Sequence, residues 1–453
     1  MTDSTVSAPI EAPSQAAAPL GGTSRLGWYT VCMATMVAVM SQIDRGILSL
    51  FIQPMKRDFH LSDTQVSVLI GFAFTFFYVV GGPPLSRMAD RGVRKNVIAG
   101  CLAVWSCATA LCGFAQNYWV FFGARAVIGS TEAGCGPASL SLISDTVPLK
   151  RMPRAYALYN SGFIGGQALS LLIGGVLFGL LAHVQPIQLP GIGVIRNWQL
   201  VFVMLGIPGL IIAAVVRFTV PEPGRRGARK PGGYPIKDVI GYLVTQRALH
   251  LPLMIGVLLM NFQIYGIITW MPAFYERTYG WGPAKIGPLL GAVTLVCSVM
   301  GLFAGARLAE WLGKRHDDAN IRTLFLAQFL AVPMFVIQPL MPTPWLALGC
   351  GGVASFLYVL GGPGYNAAIN IAAPNEMRAQ VNVMYFIIAN AIAGSLGPTI
   401  VALITDHVAR SEADLRYVIF GLRLILGPLT ALCLWKAVAP YGRIFRERTA
   451  AGG

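Results

Sequence analysis

Polar residues in this chain come in short clusters, and between the clusters lie long apolar stretches. Runs rich in Leu, Val, Ile, Phe, Ala and Gly occupy roughly residues 28–51, 64–86, 96–115, 118–142, 154–182, 199–220, 251–275, 285–306, 322–341, 345–371, 379–404 and 417–437. Each approaches or exceeds the roughly 20 residues that a helix needs to cross a bilayer. The expected fold class is therefore an all-α membrane protein with twelve transmembrane helices.

Composition agrees. Of 453 residues, 55% are hydrophobic and only 12% charged, with a mean hydropathy of +0.62, whereas a soluble domain is about 25% charged. The net charge of +15 would suggest nucleic acid on a soluble chain, but here the charge follows the loops. Only Lys56, Arg57, Arg196, Arg277, Lys285, Arg410 and Arg416 flank one set of loops. Nearly all other Lys and Arg lie in the opposite set and the tails. That bias places both termini in the cytoplasm and leaves no role for nucleic acid. Residues 1–24, rich in Ala, Pro, Ser and Thr, are expected to be a disordered cytoplasmic tail rather than a signal peptide. Short outer loops without an N-x-S/T sequon suit a plasma membrane of the bacterial inner type.

The loops carry a repeat. SRMADRGVRK (86–95) and ARLAEWLGKR (306–315) align without a gap, so six helices are followed by six more in the same orientation. The expected organisation is a six-helix bundle over 25–220, a cytoplasmic linker over 221–250, a second bundle over 251–438 and a basic cytoplasmic tail over 439–453. Internal duplication is a common transporter design.

The two acidic-then-basic loops resemble the signature loop of the major facilitator superfamily. The resemblance covers nearly the whole chain and implies two pseudo-symmetric bundles working by alternating access. The copies depart from the pattern in detail: Gly92 comes one position early, and Ser86 and Ala306 replace the usual leading glycine. An acid near one helix end can face the positive N-terminus of a helix in the other half. Asp90 would face the start of the eleventh helix near Pro374, and Glu310 the start of the fifth near Pro153, where proline suits a first turn. The expected cytoplasmic gate comprises Asp90, Arg91, Arg94, Asp145, Arg154, Glu310, Lys314, Arg315 and Arg378. A solvated loop with ordinary positive-inside charge is the plainer alternative.

Charge inside the runs is rare, costly and usually functional or paired. Only Asp44 and Glu132 are acids well within runs; Arg45, Arg125 and Arg423 are the bases. By helix rise, Asp44 and Arg125 lie at the same depth, about 10 Å in, and are expected to meet, either as a structural ion pair or as part of the site. Glu132 has no cationic neighbour one turn away on its own helix and is the expected proton-responsive group, with Asp44 as a second proton-coupling candidate. It would pair with Arg125 or Arg45 in one state only. Arg45 and Arg125 are the expected anion-binding groups.

These residues carry a narrower resemblance as well. I-D-R in the first helix, R-x-x-x-G-x-x-E in the fourth (Arg125, Gly129, Glu132), WQLVFVMLGIPGL and PEP are similar to the spinster branch, which implies export of lysophospholipids or sphingolipid phosphates. Asp44, Arg45, Arg125 and Glu132 would be its functional residues. The same segments resemble transporters of organic anions such as sugar acids. The expected lining of the second half is neutral or aromatic (Asn261, Gln263, Tyr265, Tyr358, Tyr365), which suits an amphiphile's tail, although each aromatic taken singly reads equally as packing.

No histidine lies within a run, no CxxC and no phosphate-binding loop occurs, so an enzyme, a metal, a cofactor or ATP coupling has no candidate residues. The chain reads as a monomeric, proton-linked carrier of a small amphiphilic or organic anion, embedded in lipid. A sensor that kept the fold and lost transport is the alternative of another class.

Overall fold

The computed structural model describes residues 25–148, 151–224, 235–374, 377–386, 388, 392–409 and 411–452. Ten of its helices are long and apolar enough to cross a membrane: Arg25–Leu50, Asp63–Arg91, Arg94–Phe114, Met152–Leu180, Asn197–Thr219, Arg247–Tyr279, Pro283–Gly313, Ala319–Leu340, Pro344–Ala372 and one running through Leu415–Gly452. The two remaining expected crossings are each described as two shorter helices. The fourth is split into Tyr118–Glu132 and Cys135–Thr146. The eleventh is described as Arg378–Phe386 and Ala393–His407. The expected tail 1–24 and part of the linker, 225–234, lie outside the described residues; the linker's remainder contains a helix, Ile236–Thr245. The last helix continues through the expected tail to Gly452. The face carrying the first and last described residues, Arg25 and Gly452, is called the terminal face below, and the opposite one the far face. A small hairpin of strands β1 (Ile187–Leu189) and β2 (Gly193–Ile195) lies between the fifth and sixth crossings.

Glycine sets how closely the helices approach. In the fifth crossing, Gly162 and Gly166 rest on Thr35 and Val39 of the first, and Gly174 rests on Ile47. In lipid such small residues allow backbone contact, and packing rather than the hydrophobic effect holds helices together. Between the halves the same device recurs near the far face. A Cβ on Gly175 would sit 2.4 Å from Pro288 and 2.9 Å from the Gly287 backbone, and one on Gly71 would sit 2.8 Å from the Ser395 carbonyl. The fifth crossing thus lies against the eighth, and the second against the eleventh, with no side chain between them.

The tryptophans near the ends of the crossings divide. Trp119, Trp345 and Trp435 are exposed, but Trp198, Trp270 and Trp281 are buried. The first two satisfy their indole N–H internally, on Asp58 (2.6 Å) and on the Pro398 carbonyl (3.1 Å). Nor does His250 sit idle at a helix end. The seventh helix starts earlier than expected, which buries His250 between Tyr385 (2.9 Å) and Tyr242 (3.2 Å).

Candidate functional site and its gates

The fourth crossing breaks immediately after Glu132. Gly134 and Gly136 weaken the helix there, and Pro137, third in the next segment, supplies no N–H for the preceding turn. The Glu132 carboxyl is therefore held at a kink, 2% exposed. One of its oxygens accepts from Arg45 Nε at 2.7 Å and also takes a second Arg45 nitrogen and the Ser41 hydroxyl. Ser41 and Arg45 are four residues apart on one face of the first helix. The other Glu132 oxygen is buried without a partner. The Arg45 guanidinium lies over the rings of Phe74 (4.4 Å) and Tyr78 (5.0 Å) of the second crossing, yet its side chain keeps 29% exposure. Here a cation is paired, stacked and still reachable.

Asp44 and Arg125 do not form the expected ion pair. Arg125, 1% exposed, turns to main chain instead, donating at 3.4 Å to the carbonyls of Asp44 and Leu69 and lying 5.2 Å from the Phe74 ring. The depth match was sound, since Arg125 does reach residue 44. The rotation was not. Arg45 takes the face toward Glu132, and Asp44, about 100° round the helix, points at the third crossing. There its carboxylate is buried against two donors, Trp105 Nε1 and Thr109 Oγ1, none of the three meeting full hydrogen-bond geometry.

In the second half, Gln263 and Tyr265 lie in a π-helical turn, Phe262–Ile267, of the seventh crossing, a distortion frequent at functional sites. Tyr265 is 37% exposed and within electrostatic reach of Arg45 and Tyr78. Tyr358 lines a small cavity with Gln263, Gln328, Phe335 and Arg423. Asn261 is spent on its own helix, donating to the Val257 carbonyl at 2.9 Å. Tyr365 packs against the terminal-face core of its half. Tyr265 is thus exposed near Arg45, Tyr358 borders a small cavity while packing, like Tyr365, against that core, and Asn261 is taken up by its own helix.

The expected gate residues divide. Asp90 and Glu310 are exposed and make no ion pair or hydrogen bond among the described residues. Arg91, Arg154 and Lys314 are likewise exposed, and Arg315 lies 5.7 Å from the Trp311 ring. Arg378 opens the eleventh crossing. Arg94 and Asp145 instead form a buried cluster inside the first half. Arg94 pairs with Asp145 and with Glu222 (2.7 Å) and donates to the Pro223 carbonyl (2.9 Å). It clamps the third, fourth and sixth crossings together.

The sequence reading missed a second gate. On the far face Asp63, fully buried, receives Lys56 (2.5 Å) and two nitrogens of Arg277 (2.6 and 2.7 Å). Lys56 and Arg277 also reach Glu412, at 2.8 and 3.5 Å. Asp406, at the end of the eleventh crossing, accepts from the backbone of Thr64 (2.7 Å) and Asp63 (3.3 Å). Its charge thus caps the N-terminus of the second crossing. A signal was present: Lys56, Arg57 and Arg277 are basic residues on the side that the charge bias leaves poor in them.

This is a helical membrane protein with ten candidate crossings among its described residues, with ion pairs joining the two halves of the chain at one face and a buried Arg45–Glu132 pair within the first half. The sequence profile of the Major Facilitator Superfamily matches residues 34–398, and the chain belongs to that family of membrane transporters. It is 28% identical over 431 residues to an MFS-type efflux pump of Mycolicibacterium smegmatis, covering 92% of this chain and 94% of that one. It is 25% identical to a probable galactarate/D-glucarate transporter of Escherichia coli (93% and 96% covered), and 21% identical to the protein spinster of Drosophila melanogaster (88% and 67%). Among solved structures it resembles a bacterial homologue of the human lysosomal transporter spinster in an inward-facing, unoccupied conformation. The TM-score is 0.75 at 24% identity, covering 94% of this chain and 98% of that one, a likeness of fold.

Proposed function

We propose that the chain is a proton-linked secondary transporter that binds the anionic head of an amphiphile, such as a lysophospholipid or sphingolipid phosphate, at Arg45. The observation that carries this reading is the state of Arg45: a guanidinium at mid-membrane depth, held by one carboxylate, stacked on two rings and still open to the space between the halves. An arriving anion competes with Glu132 for that guanidinium, and a proton on Glu132 releases it. Substrate and proton are thereby linked through one salt bridge. The apolar and aromatic surface beside Tyr265 suits a tail. The bundles 25–220 and 251–438 rock about this site, both termini facing the cytoplasm of a bacterial inner membrane, with the monomer as the working unit. The form described here is then open inward, with Asp90 and Glu310 released and the far face shut.

A second reading, an organic-anion symporter of the sugar-acid type, is favoured by Arg423, Gln263 and Gln328, which make the opposite wall more polar than the sequence suggested. Purified protein in proteoliposomes, assayed with lysophosphatidate, sphingosine phosphate and galactarate at pH 6 and pH 8, separates the two. Lipid-driven transport that responds to pH is the expected result. Transport of galactarate alone overturns the amphiphile, and transport of none in either direction favours a sensor.

A further inference from the structure

Arg423 of the twelfth crossing is 2% exposed at membrane depth, and no carboxylate pairs with it among the described residues. It donates to the Phe335 carbonyl (3.0 Å) and the Gln338 amide oxygen (2.6 Å), and its other terminal nitrogen has only the Met271 sulfur at 3.8 Å. A buried cation without a counter-charge is among the most expensive groups a membrane helix can carry. Neutral acceptors and the Phe335 ring, 4.5 Å away, offset only part of that cost.

The guanidinium borders a cavity of about 10 Å³, at the lower bound of the room that one water-sized group needs. Gln328, 3% exposed, also lines it, and its amide nitrogen is buried without an acceptor. Tyr358 adds a hydroxyl to the same wall. Two donors lack full partners, one of them charged, and both border the same small space. What completes them is an acceptor carrying negative charge.

We propose that the Arg423–Gln328 cavity is a second anion-binding site, separate from Arg45, which takes one halide ion or one anionic oxygen of a bound substrate. Tyr358 is within electrostatic reach of Tyr265, and Tyr265 of Arg45, so two cationic stations stand on opposite walls, linked by tyrosine hydroxyls. The free-halide source and the substrate-carboxylate source share one chemistry and differ in what else must bind. The site does not depend on which substrate Arg45 takes.

The test is thermal unfolding of the purified full-length protein in sodium salts of equal ionic strength: bromide, chloride, methanesulfonate as a bulkier reference, gluconate with one carboxylate, and glucarate with two. Expected is a saturable rise in Tm with halide over methanesulfonate, with glucarate over gluconate, or with both. Arg423→Gln and Gln328→Leu should each weaken that response about ten-fold or more, as the loss of a hydrogen bond to a charged group does. Arg45→Ala should leave the halide response intact. If Arg423→Gln fails to fold, Gln328→Leu carries the test alone. A halide response alone assigns the free ion, and a glucarate response alone assigns the substrate. Equal Tm in all five salts overturns the site, as does a response unchanged in Gln328→Leu.

Discussion

Asp63 and Arg277 meet through two hydrogen bonds, of 2.6 and 2.7 Å, across the boundary between the two halves. Asp63 is fully buried and Arg277 4% exposed, so the pair is screened little by water or salt. Breaking a buried pair from one side strands the other charge and costs about 3–5 kcal/mol. In a two-state carrier that cost falls on the closed form alone. Asp63→Asn should therefore shift the population toward a form open at the far face. Spin labels on His60→Cys and Tyr417→Cys, one in each half, report it. A longer-distance population should grow in Asp63→Asn, and an unchanged distribution rules out a gating role for the pair.

The glycine contacts give a steric version of the same test. Leucine at Gly175 puts atoms where Pro288 and the Gly287 backbone now lie, whereas Gly165, ten residues earlier in the same helix, has nothing within 4 Å of its would-be Cβ. Gly175→Leu should abolish transport and hold the far face apart in the same spin-label measurement. Gly165→Ala should be nearly silent in both. Equal effects of the two would mean that general helix damage, not the contact, is responsible.

The helical membrane fold and the positions of the buried charges were legible in the sequence, because each rests on a quantity that survives projection onto one dimension: run length and depth along a helix. Rotation about the helix axis does not survive that projection as well. Asp44 was matched to Arg125 by depth, yet Arg45 holds the face toward the fourth crossing and Asp44 turns away. Partners across elements were less legible still. Nothing local to Arg94 points to Glu222, and Asp63 looks like an ordinary helix-start acid until Arg277 arrives from 214 residues away. The principle behind the expected inner latches, an acid facing a helix N-terminus in the other half, is realised on the far face by Asp406 and the start of the second crossing. Whether Asp90 and Glu310 do likewise depends on a form closed at the terminal face.

That dependence makes Asp90 testable. It is exposed and makes no ion pair among the described residues, so it contributes little to this form. Asp90→Asn should leave the Tm of the purified protein within about a degree, as surface changes generally do. It should also lower the population closed at the terminal face, read from labels on Arg91→Cys and Lys314→Cys. A large loss of Tm without a change in those distances would make Asp90 a structural residue rather than a latch.

Under the proposed linkage, the Arg45–Glu132 pair ties anion binding to a proton. While Glu132 is ionised it occupies Arg45, and an incoming anion must displace it. Once Glu132 is neutral, the guanidinium is free of that competitor. Anion affinity should therefore rise as pH falls. Glu132→Gln keeps the size of the side chain and removes the charge, so at any one pH it should bind the anion more tightly than the unaltered protein, and any pH dependence carried by this pair should be lost. Arg45→Lys is the complementary change. It keeps the charge but loses the planar fork and its stacking on Phe74 and Tyr78, and should weaken binding about ten-fold or more at either pH. Titrating ligand into detergent-purified protein at the two pH values, with calorimetric readout, gives all the numbers needed. A pH slope that persists in Glu132→Gln would move the proton to another group, with Asp44, buried and lacking a partner for one oxygen, the next to replace by asparagine.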